Sequence, residues 1–281
     1  MKYNLTSTVT LRNKTAMPWF GFGTFLSDAG KTTQDAVRWA LEAGYRHIDT
    51  ARIYQNEEDV GLAIRESGVP RSDIFITTKV WNDDQGYDST LKAFDESLKR
   101  LKMDYVDLYL VHWPVPGLRN DTWRALIKLQ ETGRTREIGV SNFMIRHLDE
   151  LLSQTDIIPA VNQIEVSPFI QRCPLVKYCR ERAIVVESYS TMSRGKRTND
   201  DRLVAIGKKY GKTAPQIMLR WALQSEMVII PKSVHKERII ENADIFDFEV
   251  SAEDMAAINA MDENCSITPA SWEPEKSDKW K

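Results

Sequence analysis

Short apolar segments alternate with amphipathic helical segments along nearly the whole of this 281-residue chain. Such apolar runs are typical of parallel strands that are buried on both faces of a sheet. Eight are predicted as strands: Phe20–Thr24, His47–Asp49, Ile74–Thr78, Val106–His112, Ile138–Ser141, Ala160–Glu165, Ile184–Tyr189 and Val228–Ile230. Because strands alternate with helices, the pattern predicts a parallel α/β fold.

Eight β/α units favour a (β/α)8 TIM barrel that forms one domain over residues 1–281. No linker or shift in composition divides the sequence. A doubly wound sheet is the alternative fold, since periodicity does not distinguish the two. Two segments lie outside the eight units: an N-terminal β-hairpin over Thr8–Met17, and an extra C-terminal helix over Ser251–Met261 that is followed by a polar tail.

Helix boundaries are marked by capping and turn residues. Asp121 is predicted to precede one helix, and Thr213 with the following Ala-Pro is predicted to open the next-to-last helix of the barrel. Gly44, Gly68 and Gly133 stand where helices are expected to end.

Charge and cysteine content narrow the class of protein. Lys and Arg total 38 against 40 Asp and Glu, so net charge favours neither a nucleic-acid partner nor an anionic membrane. Cys173, Cys179 and Cys265 form no CxxC pair, which is typical of reduced cytosolic thiols. The polar start and the lack of a long apolar run predict neither a signal peptide nor a membrane span. We therefore expect a cytoplasmic protein.

Four chemically active side chains follow predicted strands. Asp49 ends the second strand and Tyr54 comes five residues later, while Lys79 follows the third strand and His112 ends the fourth. Barrel enzymes carry their active sites at these strand ends. Alternation along the fourth strand places Val106, Leu108 and Leu110 on the inward face with His112, and Phe75 and Thr77 with Lys79 in the third. A lysine beside a tyrosine stabilises the phenolate, and this pairing points to carbonyl reduction.

Six segments occur in a fixed order along the chain: GYRHIDTARIY, FITTKVWN, DYVDLYLVHWP, REIGVSNF, VNQIE and IIPKSVHKERIIEN. On these motifs the chain resembles the aldo-keto reductases along nearly its whole length, and most of all their diketogluconate reductase and prostaglandin F synthase branch. The resemblance implies NADPH-dependent reduction of aldehydes or ketones by a monomer. It implies Tyr54 as general acid, Lys79 lowering the pKa of Tyr54, Asp49 pairing with Lys79, and His112 orienting the substrate carbonyl.

The glycines of the first strand do not predict a Rossmann site. Gly21 and Gly23 resemble the start of a GxGxxG fingerprint, but its third glycine and the acid that follows it are missing. We interpret them as small residues on a crowded strand. The basic segment from Lys232 to Arg238, after the last strand, is a better phosphate site because barrels often bind phosphate there. A solvated basic helix face is the alternative.

The resemblance also implies how NADPH is held. Lys232, Ser233 and Arg238 are expected on the 2′-phosphate, with Glu241 and Asn242 on the adenine. The nicotinamide carboxamide is assigned to Ser141, Asn142 and Gln163, and the stacking aromatic is Tyr189. The remaining cofactor candidates are Gly23, Thr24, Ser190 and Val234.

The substrate pocket is the least constrained part of the site. Phe25, Trp81 and Trp113 are expected to wall it, together with His112, because each lies at the same rim. The chain departs from the family in having Ser167-Pro168 for a usual His-Pro and Thr-Met-Ser after Ser190, in a loop that contacts the pyrophosphate in relatives. Arg52 either competes with Lys79 for Asp49 or points outwards. The tail after Met261 matches no family motif.

The sequence is also compared with two other classes of function. A cofactor-binding regulatory protein without catalysis is disfavoured by the intact set of four polar residues. A metal-dependent hydrolase is raised by His47 and Asp49 in the second strand, but no second His/Asp pair ends a strand, so no metal is expected. His47 is interpreted as a polar residue of the barrel interior.

Overall fold

The computed structural model describes residues 3–281, so the first two residues of the predicted 1–281 domain lie outside it. An antiparallel hairpin of β1 (Thr8–Thr10) and β2 (Ala16–Pro18) comes first, as predicted. Eight parallel strands follow: β3 (Phe22–Gly23), β4 (His47–Asp49), β5 (Phe75–Val80), β6 (Val106–Val111), β7 (Thr135–Ser141), β8 (Val161–Glu165), β9 (Val185–Tyr189) and β10 (Val228–Ile229).

The eight parallel strands lie in sequence order from β3 to β10. The first and last edges meet through a parallel bridge between Phe20 and Ile229, and the Gly21 amide donates to the Ile229 carbonyl at 2.8 Å. A doubly wound sheet would leave these edges apart and reverse its strand order. The TIM barrel is therefore confirmed, and the alternative fold is wrong.

Ten helices lie within the part of the chain that the structure describes. They are α1 (Lys31–Glu42), α2 (Glu57–Glu66), α3 (Tyr87–Leu101), α4 (Arg119–Glu131), α5 (Ile145–Leu152), α6 (Cys173–Glu181), α7 (Asp201–Tyr210), α8 (Ala214–Gln224), α9 (Lys236–Ala243) and α10 (Ala252–Asn259). No helix of residues 3–281 is long and apolar enough to cross a membrane.

Most of the predicted helix boundaries are confirmed. Thr213 caps α8 in a capping box, and Gly44, Gly68 and Gly133 have positive φ angles of 96°, 72° and 73° directly after helices or near their ends. The boundary at Asp121 is wrong. The helix α4 begins two residues earlier, so Asp121 lies in its first turn.

Apolar side chains form a cluster inside the barrel, distinct from the larger cluster between the strands and the surrounding helices. The inner cluster contains Phe75, Leu108 and Leu110, as the alternation predicted, together with Leu11 and Met17 of the hairpin. Val106, which was expected on the same face, packs with the outer cluster.

The hairpin contacts the start of β7, since the Asn13 amide donates to the Glu137 carboxylate at 2.9 Å. It therefore lies at the N-terminal end of the barrel, and the predicted polar residues lie at the opposite end.

Candidate active site

The ends of β4 and β5 bring an acid and a base together inside the barrel. The Lys79 Nζ donates to Asp49 Oδ1 at 2.7 Å and to the Thr50 carbonyl at 2.8 Å, and the Lys79 side chain has no exposed surface. A buried cation is stable only when it is paired and hydrogen-bonded, and both conditions are met here. The predicted Asp49–Lys79 ion pair is thus present.

Tyr54 reaches this pair from the turn after β4. It ends a short 3-10 segment over Arg52–Tyr54, and its hydroxyl accepts a long hydrogen bond of 3.4 Å from Lys79 Nζ. Arg52, in the same turn, pairs with Asp84 at 3.1 Å and is 40% exposed. Of the two alternatives for Arg52, the outward orientation is therefore the one observed, and Arg52 does not compete with Lys79 for Asp49.

The charges of the group can be assigned from its surroundings. Burial lowers the pKa of Lys79, but Asp49 and Tyr54 outweigh it, so the pKa of Lys79 is raised and the ammonium persists. Burial raises the pKa of Asp49, and the ion pair with Lys79 limits that rise.

The pKa of Tyr54 is also raised, because burial outweighs the opposing effect of Lys79. Lys79 lowers the pKa of Tyr54, as expected, but burial raises it by more. The phenol therefore keeps its proton at neutral pH.

His112 completes the set as a neutral ring. Burial, and then Lys79, lower the pKa of His112 well below its usual value. Its Nδ1 has no hydrogen-bond partner among the described residues. The ring lies edge-on to Tyr54 at 5.8 Å and to Trp81 at 5.3 Å between centroids. An uncharged imidazole beside a phenol is suited to hold a carbonyl oxygen by a hydrogen bond.

The residues expected at the nicotinamide end form one hydrogen-bonded cluster. Ser141 Oγ donates to the Gln163 carbonyl at 2.9 Å, and Asn142 Nδ2 donates to the His112 carbonyl at 3.0 Å. The Tyr189 hydroxyl donates to Asn142 Oδ1 at 2.8 Å, which fixes the Tyr189 ring at the mouth. Asn142 has a positive φ of 64°, in the left-handed region that asparagine adopts more readily than most residues. The cluster and the four polar residues share one site.

The glycines of the first strand are small because the barrel is crowded there. A Cβ on Gly21 would lie 2.5 Å from His47 Nδ1, and a Cβ on Gly23 would lie 2.9 Å from the Ile230 carbonyl oxygen. Thr24 Oγ1 donates to the Asp49 carbonyl at 2.9 Å. The interpretation of Gly21 and Gly23 as small residues on a crowded strand is confirmed, whereas a cofactor contact of Gly23 or Thr24 stays a prediction.

The basic segment after β10 presents its cations in different directions. Lys232 Nζ donates to the Leu26 carbonyl at 2.7 Å, and Lys236 pairs with Glu42 of α1 at 3.3 Å. Arg238 is exposed in the first turn of α9 and has no ion-pair partner within residues 3–281. A free guanidinium near a helix N-terminus suits a phosphate.

The other residues expected at the adenosine end lie around the same helix. Ser233 is buried, and its Oγ accepts from the His235 amide at 3.1 Å in the turn before α9. Asn242 is buried within α9, while Glu241 accepts from Thr213 Oγ1 at 2.8 Å. This bond directs one Glu241 oxygen towards the start of α8.

The predicted aromatic wall is present at the rim, and the C-terminal tail extends it. Phe25 lies 5.0 Å from Tyr54, and Trp81 and Trp113 flank His112. Trp272 of the tail stacks on Trp81 at 5.9 Å and meets Trp113 edge-on at 5.2 Å. Sequence reasoning missed Trp272 because the tail matched no motif. The sequence did contain an indication of its role, because the mostly polar tail carries two tryptophans, Trp272 and Trp280.

Two buried carboxylates hold the tail over the mouth. Glu165, at the end of β8, accepts hydrogen bonds from Ser266 Oγ, the Ile267 amide and Thr268 Oγ1, each at 2.7 Å. Glu273 of the tail forms a two-oxygen ion pair with Arg172 at 3.0 Å, and both side chains are buried. The tail is thus part of the site rather than an appendage.

The barrel interior beneath the site is polar as well. His47 is fully buried, with Nε2 3.1 Å from Thr77 Oγ1, which confirms its interpretation as an interior residue. Glu187 of β9, which sequence reasoning did not single out, is fully buried beside it.

These features define a (β/α)8-barrel protein in which an ion pair, a tyrosine and a neutral histidine meet under an aromatic rim. The sequence profile of the Aldo/keto reductase family matches residues 20–263. The chain belongs to the aldo/keto reductase family, and it is an oxidoreductase that acts on carbonyl groups. The resemblance drawn from the motifs is confirmed.

Named relatives and solved structures agree with this assignment. Glyoxal reductase of Bacillus subtilis (strain 168) is 49% identical over 269 residues, covering 96% of this chain and 98% of the relative. The 9,11-endoperoxide prostaglandin H2 reductase of Trypanosoma cruzi (strain CL Brener) is 46% identical, covering 92% and 93%. The crystal structure of a Bombyx mori aldo-keto reductase in complex with NADP matches with a TM-score of 0.90 at 37% identity, covering 99% of each chain.

Proposed function

We propose that this protein reduces aldehydes or ketones to alcohols with NADPH, and that Tyr54 is the general acid. One observation carries the proposal: the Lys79 ammonium contacts both Asp49 and the Tyr54 hydroxyl beneath an aromatic mouth. The relatives named above, two reductases and an aldo-keto reductase bound to NADP, support it.

Tyr54 supplies the proton of the reaction. Bound NADPH supplies a hydride, which adds to the carbonyl carbon. As the carbonyl oxygen gains charge, the Tyr54 O–H bond breaks and a new O–H bond forms on that oxygen. The phenolate left behind lies 3.4 Å from the Lys79 ammonium, which stabilises it. General acid catalysis of this kind contributes roughly 10²–10⁴-fold in rate.

Asp49 and His112 keep the donor effective. Asp49 holds Lys79 by a 2.7 Å ion pair, so the ammonium stays charged and directed at the phenol. His112 is neutral, so one ring nitrogen donates to the substrate oxygen without competing as an acid. Trp81 and Trp113 place apolar rings beside His112, next to the position proposed for the substrate oxygen.

The residues at both ends of the proposed cofactor site fit NADPH. Arg238 is an exposed guanidinium without an ion-pair partner in the described chain, and Lys232 lies in the turn before it. Cations at this place favour a cofactor that carries a 2′-phosphate over NADH. At the other end Asn142 and Gln163 offer their amide oxygens to the carboxamide, and Tyr189 offers a ring face to the nicotinamide.

NADPH consumption across a panel of carbonyl compounds tests the proposal. The panel takes glyoxal first, because a glyoxal reductase is 49% identical, and then aromatic aldehydes, ketoses, quinones and diketo acids. We expect turnover with at least one reactive aldehyde and a clear preference for NADPH over NADH. Absence of turnover across the panel, for a folded protein that binds NADPH, would contradict the proposal.

A further inference from the structure

Glu187 is a buried carboxyl for which the proposed mechanism has no use. It lies in the middle of β9 inside the barrel and has no exposed surface. Its Oε2 accepts a 2.8 Å hydrogen bond from Gln163 Nε2. Its Oε1 has no hydrogen-bond partner among residues 3–281, and it lies 3.6 Å from His47 Nε2. A half-satisfied buried carboxyl is unfavourable, so its presence beside the site calls for a role.

Glu187 and Asp49 together fix the side-chain amide of Gln163. Gln163 Nε2 donates to Asp49 Oδ2 at 2.9 Å and to Glu187 Oε2 at 2.8 Å. An amide nitrogen has two hydrogens, and both are used here. The reversed amide would place its oxygen against the Asp49 carboxylate, which has no hydrogen to donate to it. The amide Oε1 of Gln163 is therefore held away from both acids, and it makes no hydrogen bond to any described residue.

The same contacts form a continuous chain from Glu187 to the proposed proton donor. It runs from Glu187 through Gln163 to Asp49, and from Asp49 through Lys79 to the Tyr54 hydroxyl. A change at Glu187 can therefore reach Tyr54 without touching a substrate.

We propose that Glu187 is a positioning residue that holds the Gln163 amide in the orientation needed to accept a hydrogen bond from the nicotinamide carboxamide. The inference rests on the proposed function, because Gln163 is assigned there to the carboxamide. It adds a residue to which neither the motifs nor the four-residue set assign a role.

The charged groups around Glu187 set its protonation state. Burial, and then the Asp49 carboxylate, raise the pKa of Glu187 to about 8, and Lys79 opposes them. His47 faces it from β4 with its pKa lowered to about 3, first by burial, so the ring is uncharged. Above pH 8 Glu187 gains a negative charge, and that charge raises the pKa of Tyr54. A protonated Glu187 still has an acceptor oxygen for Gln163, so the amide is held in both states.

Two substitutions separate the hydrogen bond from the charge. Glu187→Gln keeps an acceptor for Gln163 and loses the charge, whereas Glu187→Leu loses both. Affinity is measured by titration calorimetry for NADP+ and for 2′-phosphoadenosine diphosphoribose, which lacks nicotinamide. We expect Glu187→Leu to weaken NADP+ binding about tenfold and to leave the analogue within twofold, as loss of one oriented hydrogen bond implies. Glu187→Gln should bind both ligands like the wild type.

Several results would overturn this assignment. Equal weakening of both ligands in Glu187→Leu would show a purely structural residue, and no weakening would show that Gln163 needs no support. If Glu187→Leu does not fold, Glu187→Met, which also lacks a carboxyl or amide oxygen, takes its place in the same two titrations. Equal weakening of both ligands, or no weakening of either, in that variant would likewise contradict the proposal. If the wild type binds NADP+ but reduces no carbonyl, the proposed function fails, while the contrast between the two ligands still decides the role of Glu187.

Discussion

The floor and the rim of the site are built in different ways. The floor consists of side chains that point into the barrel from its strands, such as Asp49, Lys79 and Gln163, which are buried and bonded to one another. The rim consists of aromatic rings on loops and on the tail, such as Phe25 and Trp272, which are partly exposed and meet through ring contacts. Hydrogen bonds between the side chains fix the geometry of the floor. The positions of the rim rings depend on how the loops and the tail are anchored.

This difference separates what the chain does from what it acts on. The floor holds the proposed proton donor and its partners, and it constrains the reaction. The rim determines the shape and polarity of the space above them, and it constrains the substrate. Substitutions in the floor should therefore change the rate of the chemical step or the stability, and substitutions in the rim should change substrate affinity.

Tyr54→Phe gives the largest expected effect on the floor. It removes only the hydroxyl, so kcat for a reactive aldehyde should fall roughly 10²–10⁴-fold while NADPH affinity stays within twofold. Stopped-flow turnover and fluorescence titration of NADPH measure the two quantities. Tyr87→Phe in α3, outside the site, is the matched control and should keep wild-type kcat. Unchanged turnover in Tyr54→Phe would rule out Tyr54 as general acid.

Asp49→Asn tests the floor as a buried ion pair. It leaves the Lys79 ammonium without its partner in the barrel interior, and we expect a loss of about 3 kcal/mol in the free energy of unfolding. Urea unfolding measures this loss. The matched control is Asp84→Asn, which removes the partner of the exposed Arg52 and should change stability by less than about 1 kcal/mol. Equal losses in the two variants would show that the floor is no more constrained than the surface.

The floor was largely predictable from sequence, whereas the rim was predicted only in part, since its loop aromatics were expected and the tail with Trp272 was not. Strand periodicity placed Lys79 and His112 at inward strand ends, and His47–Asp49 was predicted with its observed bounds. Glu187 was not predicted as a site residue, because a carboxyl inside an apolar run does not indicate its hydrogen-bond partner, which lies on another strand. The position of the tail over the site was not predicted, because it depends on contacts with Glu165 and Arg172. A sequence does not reveal which distant groups pair. The net rise in the pKa of Tyr54 could not be predicted from sequence, because it depends on how deeply the side chain is buried in the fold.

Arg238→Ala tests the free cation at the far end of the proposed cofactor site, where Arg238 is exposed, as Phe25 is at the rim. We expect NADPH affinity to fall about tenfold or more and NADH affinity to stay within twofold, as loss of a charge-assisted hydrogen bond to the 2′-phosphate implies. The matched control is Lys236→Ala, two residues earlier, whose ammonium pairs with Glu42. Equal weakening of NADPH and NADH would refute the assignment to the 2′-phosphate.

Trp272→Ala should give the smallest effect, and it tests whether the tail acts only through the rim. The ring stacks on Trp81 and meets Trp113 edge-on, so its loss removes about 1–2 kcal/mol of apolar contact from a bulky substrate. We expect KM for an aromatic aldehyde to rise about tenfold, KM for glyoxal to stay within twofold, and kcat to change little for both. Trp272→Phe keeps an aromatic ring at the same place and should recover most of the affinity. A parallel fall in kcat for both aldehydes would mean that the tail holds the floor in place, and the separation between the two regions would then fail.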